Sequence, residues 1–322
     1  MIKTAAALLA LAFISCASGV KISGTAASTP APPWHEPYVE GMYGAENIAF
    51  DGEGSMFVTG LDGRIFRVIP GDNDYRGKIA AEKKIGKLLI GIAVGPQKEI
   101  YVGVENDDET RNIYKTDRDF SSLKKLTGHI DGLNGFTLSS KGRLYFATSN
   151  TSLFLPKGGI LYADIASEEN FKKPVTLLDD AAMVNGLALS NDESILYFTE
   201  TTGALKSFTL ATGKTKKLYE PSGFFQIIDD LTVDSRGRVW ICQNAEQALF
   251  LYEEGAAVRG FTAGKLKAPS SCAFGSGKGF RSDFLYVTEF GLKGRSLTMN
   301  GRGVWAVPVY ELTSEGGPAG GK

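Results

Sequence analysis

Short apolar runs alternate with turn residues along most of the chain, and six stretches repeat one arrangement. Each has an apolar segment, an Asp/Ser/Gly/Asn turn, a second apolar strand and often a third. They are ENIAFDGEGSMFVTGLDGRIFRV from Glu46, IGIAVGPQKEIYVGVEND from Ile90, NGFTLSSKGRLYFATSN from Asn134, NGLALSNDESILYFTETTGALKSFTL from Asn185, DLTVDSRGRVWICQNAEQALFLY from Asp230 and SCAFGSGKGFRSDFLYVTEF from Ser271. Counted from Asn47, Ile90, Asn134, Asn185, Asp230 and Ser271, the intervals are 43, 44, 51, 45 and 41 residues. A period of about 40 to 50 residues is that of four-stranded propeller blades. Leu144 and Phe146 alternate with Tyr145 and Ala147, and Val239 and Ile241 with Trp240 and Cys242, as strands sandwiched between two sheets require. The segments AAEKKIG, SLKKLTG, VTLLDD, KTKKLYE and AVRGFTA read as weaker, lysine-bearing outer strands. Helix has little room; SEENFKKP at 167–174 is one of few candidates and Pro174 limits it.

The pattern predicts an all-β fold, a six-bladed β-propeller with four-stranded antiparallel blades around a central channel, over residues 38–312. A strand around Tyr38 to Met42 is expected to complete the last sheet, leaving no long open edge. Two stacked β domains are the alternative, and they leave the even interval unexplained.

Composition narrows the setting. The 35 Lys and Arg against 36 Asp and Glu give a formal charge of −1, which does not suggest a nucleic-acid binder. The 39 glycines in 322 residues, about 12% against a usual ~7%, recur at turns and suit many short strands. Residues 1–19, MIKTAAALLALAFISCASG, have the form of a secretory signal with cleavage after Gly19, so a secreted or extracytoplasmic protein is expected. Cys16 as the lipid-bearing cysteine of a lipoprotein is the competing reading. Residues 20–37 read as a flexible Ser/Thr/Ala/Pro linker and 313–322 as a flexible tail. No later segment has the length and charge-free character of a transmembrane span. Cys242 and Cys272 could pair in an oxidising compartment or remain as free buried thiols.

In a propeller, the residue immediately before each innermost strand faces the axial opening at one end. The repeat places Glu46, Asn134, Asn185 and Asp230 there, with Ser271 from the sixth blade. Two carboxylates and two amide oxygens make a hard oxygen cage suited to Ca2+, with Mg2+ or another divalent ion as alternatives. Zinc held by histidines is disfavoured, since the chain has only His35 and His129. The plainer reading is that Asn134 and Asn185 precede glycine as turn residues, while Glu46 and Asp230 satisfy strand-start donors. A cation held there would polarise a lactone or ester carbonyl, with Asp230 or its neighbour Asp229 taking the proton of an attacking water. Asn106, in the acidic run Glu105 to Asp108, and His129 are candidate rim or substrate contacts; a solvated loop is the alternative for both. No GxSxG elbow or Ser/His/Asp set is present.

These motifs resemble the six-bladed superfamily of senescence marker protein/regucalcin, gluconolactonases and strictosidine-synthase-like proteins. AENIAFDGEGSMFVTGLDGRI looks like the opening of the strictosidine-synthase-like branch, NGLALSNDESILYFTET and DDLTVDSRGRVWIC like segments shared across the superfamily, and SSCAFG like the start of the regucalcin branch's sixth blade. The resemblance covers about residues 41–310. It implies Glu46, Asn185 and Asp230 as metal ligands, Asp230 also as base, Asn134 as a metal or substrate contact, and a Ca2+-dependent lactonase or related esterase acting on a small-molecule lactone or ester. The sequence departs from the family in having AEN where the gluconolactonase branch has an EGP-type opening. The glutamate that strictosidine synthases use for their condensation is not assigned to a position here, although Glu289, in YVTEF, follows an expected strand. A non-catalytic propeller that binds a ligand or protein partner and uses metal only to lock the channel is the alternative.

Overall fold

The computed structural model describes residues 36–71, 76–149, 157–201, 203–221, 227–261, 266–290 and 303–309, with backbone alone at 292–293 and 296–299. The signal segment 1–19 with Cys16, His35, nearly all of the linker and the tail 313–322 lie outside the described residues.

The repeat becomes six four-stranded antiparallel sheets, the first five ordered from the inside outwards along the chain. The innermost strands are Ala45–Phe50, Leu88–Val94, Leu133–Leu138, Val184–Leu189, Ile228–Val233 and Pro269–Phe274, in blades 1 to 6. Blade 6 is completed by Val39–Glu40, which pairs with Gly303–Pro308 and closes the ring with the N-terminal end of the chain as expected. The helix candidate is a 3-10 turn, Glu168–Lys172.

Alternation along the second strands divides their side chains between neighbouring blades. Leu144 and Phe146 pack with Ile90, Tyr101 and Ile113 of blade 2, whereas Tyr145 and Ala147 pack with Val184, Leu187 and Phe198 of blade 4. Both faces are therefore buried, so a period-two strand here is apolar throughout. The Asp that follows an inner strand ties down its own turn. Asp51 Oδ1 accepts the N–H groups of Glu53 and Ser55 at 2.8 and 2.9 Å. Asp234 accepts those of Arg236 and Arg238, and its other oxygen takes the Trp240 indole N–H at 3.2 Å. The turn and the first core residue of the next strand are thus held by one carboxylate.

Every inner strand carries a β-bulge at the same height. In blade 1, Ala45 pairs with Gly60 and Ile48 with Val58, so Glu46 and Asn47 together face the single residue Thr59. The same register shift sets Asn134 and Gly135 opposite Ala147, Asn185 and Gly186 opposite Thr199, Asp229 and Asp230 opposite Cys242, and Ser270 and Ser271 opposite Thr288. Ile90 and Gly91 take this place in blade 2. A bulge turns two consecutive side chains out of the pleat, which puts paired residues at the channel instead of one.

The threonines opposite the bulges join blades. Thr199 Oγ1 accepts the Gly186 N–H at 2.9 Å and donates to the Asp229 carbonyl in blade 5. Thr288 Oγ1 accepts the Ser271 N–H at 2.8 Å and donates to the Glu46 carbonyl of blade 1 at 2.7 Å. Thr199→Val removes both partners from buried backbone groups and is expected to lower stability by about 1–3 kcal/mol, whereas Thr199→Ser loses less. Urea unfolding of the two variants beside the wild type checks this.

Candidate functional site

The bulges build two tiers of side chains around the channel. Glu46, Ile90, Asn134, Asn185, Asp229 and Ser270 form the first, and Asn47, Gly91, Gly135, Gly186, Asp230 and Ser271 the second. Strand register therefore puts Asp229, not Asp230, in phase with Glu46, Asn134 and Asn185. It also corrects the expectation that these residues precede the strands, since they lie within them.

The second tier explains the Asn-Gly pairs better than turns do. A Cβ on Gly135 would lie 2.5 Å from the Asn185 carbonyl oxygen, and one on Gly186 would lie 2.4 Å from Asp230 Oδ1. Adjacent inner strands approach so closely on this side that only glycine fits. Gly186→Ala is expected to cost about 1–3 kcal/mol by overpacking, read as a lowered urea midpoint.

Where the second tier does carry side chains, they bond to one another across blades 1, 5 and 6. Ser271 Oγ donates to Asp230 Oδ2 at 2.5 Å, and Asn47 Nδ2 reaches the same oxygen at 3.3 Å. Asn47 Oδ1 accepts the Gly91 N–H at 2.6 Å, which fixes its amide so that the nitrogen faces Asp230. The Leu231 N–H donates to Asp230 Oδ1 at 2.9 Å. Sequence reasoning missed Asn47, although a signal was present. Glu46-Asn47, Asp229-Asp230 and Ser270-Ser271 are tandem polar pairs that break the period-two alternation of their strands.

The first tier is less satisfied. Glu46 is 7% exposed and its Oε2 has no hydrogen-bond partner; Asn134 Oδ1 is likewise buried without one. Asp229 is buried and accepts from Asn244 Nδ2 at 3.1 Å and from the Asn185 side chain. Burial first, then the charges of Asp229 and Asp230, push the Glu46 carboxyl well above its ordinary range. Burial and the Asp230 charge raise Asp229. Asp230 is pushed up to about 6 by burial, against the opposing hydrogen bonds of Ser271, Leu231, Asn47 and Leu187. Among the described residues, the largest influences on these three carboxylates include no basic side chain.

Among the described residues, no group of three or more His, Cys, Asp and Glu side chains is placed to hold a metal ion. A set made of Glu46, Asp229 and the amides Asn134 and Asn185 has only two such residues. The two orphaned buried oxygens, one carboxylate and one amide, are donors that a hard cation takes, so the residues fit calcium or magnesium in chemical type.

Other sequence candidates have local partners. Asn106 Nδ2 bonds Thr110 and Asn112, and its Oδ1 accepts the Tyr114 hydroxyl, which closes the blade 2 hairpin. His129 is exposed on the connection after blade 2, and its Nδ1 accepts the Arg111 N–H at 3.0 Å. Glu289 is fully buried and accepts the Lys267 N–H. A cleft of about 510 Å3, lined by Lys157, Asp179, Asp180, Glu200 and Lys206, opens where the outer strand of blade 3 leads into blade 4.

A family model described as the SMP-30/Gluconolactonase/LRE-like region matches residues 56–290. Lactonase drp35 of Staphylococcus aureus strain MW2 is 29% identical over 185 residues, 53% of this chain and 52% of that protein, so the chain matches about half of that relative's length. For strain MRSA252 the figures are 25% over 261 residues and 74% of each chain. Among solved structures, a luciferin-regenerating enzyme aligns with a TM-score of 0.64 at 17% identity, covering 84% of this chain and 92% of that one. A calcium-binding protein, regucalcin, of Agrobacterium tumefaciens aligns with a TM-score of 0.62 at 17% identity, covering 84% and 91%. The structural likenesses support the fold.

Proposed function

Because the chain belongs to the SMP-30/gluconolactonase/LRE-like family, we propose that it hydrolyses a lactone or related ester with a divalent cation, calcium foremost, at the mouth of the channel. The observation that carries this reading is the pair of buried, unpartnered oxygens, Glu46 Oε2 and Asn134 Oδ1. A buried carboxylate without a partner is costly in a folded protein unless something of opposite charge offsets it. Glu46, Asn134, Asn185 and Asp229 would hold the cation. Bound there, it would polarise the substrate carbonyl and acidify a water.

The remaining steps belong to the second tier. Asp230, half-buried in the second tier, takes the proton of the attacking water on Oδ2. Of its hydrogen-bond donors, only the Ser271 hydroxyl can reverse direction; the amide of Asn47 and the backbone N–H of Leu231 cannot. Ser271 thus accommodates a proton on Asp230 by rotating its O–H, while Asn47 keeps the carboxylate aimed.

A panel of lactones and aryl esters, assayed with added Ca2+ and again with chelator, tests the proposal. Hydrolysis that requires the cation is expected. Folded, cation-responsive protein that turns over no member of the panel would overturn it. The four-donor saturation of Asp230 favours one second reading, in which the same centre locks a non-catalytic binding propeller.

A further inference from the structure

We propose that Cys242 and Cys272 are a crosslinking site, closing to a disulfide that ties blade 5 to blade 6 beside the candidate centre. Cys242 stands opposite the Asp229-Asp230 bulge, the place that Thr59, Thr199 and Thr288 hold in blades 1, 4 and 6. In blades 4 and 6, the side chain at that place reaches the inner strand of the next blade. Cys242 does the same, and what it meets in blade 6 is Cys272. Cys272 Sγ approaches the Trp240 carbonyl, two residues before Cys242, at 3.9 Å, and the Cys272 thiol is among the groups that act on Cys242. Both are present as free thiols, 0% and 3% exposed, in one apolar cluster with Leu249, Leu285 and Trp305. Neither has a part in the hydrolytic reading. Thiols packed in one cluster need only a short movement to bond, and the strands that carry them, Val239–Gln243 and Pro269–Phe274, are already in contact.

The reaction uses a small-molecule disulfide, such as oxidised glutathione. The thiolate of one cysteine attacks it, forming a mixed disulfide and releasing one glutathione thiolate. The second cysteine, as its thiolate, attacks the protein sulfur of that intermediate and releases the other glutathione. The Cys242–Cys272 bond forms as the small disulfide is reduced, and the two cysteine protons end on the two glutathione thiols. Burial of both thiols in the finished ring puts this exchange during folding, before blades 5 and 6 close. The crosslink encloses residues 242–272 and restricts the unfolded chain. It also joins the strand facing Asp230 to the strand that carries Ser271.

The full chain, denatured and reduced, is refolded in a glutathione redox buffer or in dithiothreitol. It is then alkylated under denaturing conditions, digested and mapped by mass. In the glutathione sample, peptides carrying Cys242 and Cys272 are expected as one crosslinked species. The unfolding temperature is expected to exceed that of the dithiothreitol sample by roughly 5–10 °C. That difference should disappear in Cys272→Ser and in Cys242→Ser. Quantitative alkylation of both cysteines in the glutathione sample, a crosslinked protein no more stable than the reduced one, or a difference that survives in either serine variant overturns the proposal.

Discussion

Asp230→Asn lowers kcat/KM on the most responsive lactone or aryl ester by about 10²- to 10⁴-fold, the range that a general base supplies, while the variant still responds to calcium. The amide keeps the volume of the carboxylate but has no basic oxygen that can carry the proton away. Folding is expected to survive, because removing one negative charge beside Glu46 and Asp229 offsets the disturbed bonds to Asn47 and Ser271. Asp229→Asn separates the two tiers. It removes a first-tier carboxylate in phase with Glu46 and is expected to lose turnover and the calcium response together. Steady-state kinetics, paired with thermal unfolding at several calcium concentrations, measures both. Equal loss of calcium response in the two variants would move Asp230 into the ligand set, and full activity in Asp230→Asn would remove it from the chemistry.

Calcium at a hundred times its dissociation constant adds about 2.7 kcal/mol to the chelator-treated protein, which is read as a rise of roughly 5–10 °C in unfolding temperature. Glu46→Gln reduces the response, since its unpartnered Oε2 is the group that gains most from a positive charge. Acidity should act on the chelated protein in a defined sense. Folded Asp230 titrates at about 6 and unfolded Asp at about 4. Between these values the folded state binds more protons than the unfolded one, so stability falls as pH rises. The elevated Glu46 and Asp229 carboxyls act in the same direction. Calcium should oppose the loss. Denaturant midpoints from pH 4.5 to 7.5, with and without chelator, would show this, and a chelated protein that becomes more stable across that interval would contradict the carboxylate cluster.

The spacing of turns and apolar runs was enough to specify six blades and the weak outer strands, while closure by a strand within Tyr38 to Met42, observed at Val39–Glu40, was inferred from the geometry of a ring. These follow from local chemistry: period-two alternation makes strands, Asp and Gly make their turns, and a constant interval stacks like upon like. Glu46, Asn134 and Asn185 were legible for the same reason, each being a polar residue at a repeated position. What the polarity pattern left open was the bulge. An inserted residue shifts strand pairing without altering composition, so the alignment from Asp230 ran one residue out of phase with Asp229. Asn47 was hidden likewise, because its partners Gly91 and Asp230 belong to other blades, 44 and 183 residues away in the chain. Asn106 and His129 show the converse: suitable side chains whose hydrogen bonds are used within their own hairpins and connections. The amino-acid order by itself determined the repeating sheets, since each depends on neighbours in the chain. Only the closed ring decided which polar side chains meet, because that depends on strand register and on distances across a channel between residues the chain keeps far apart.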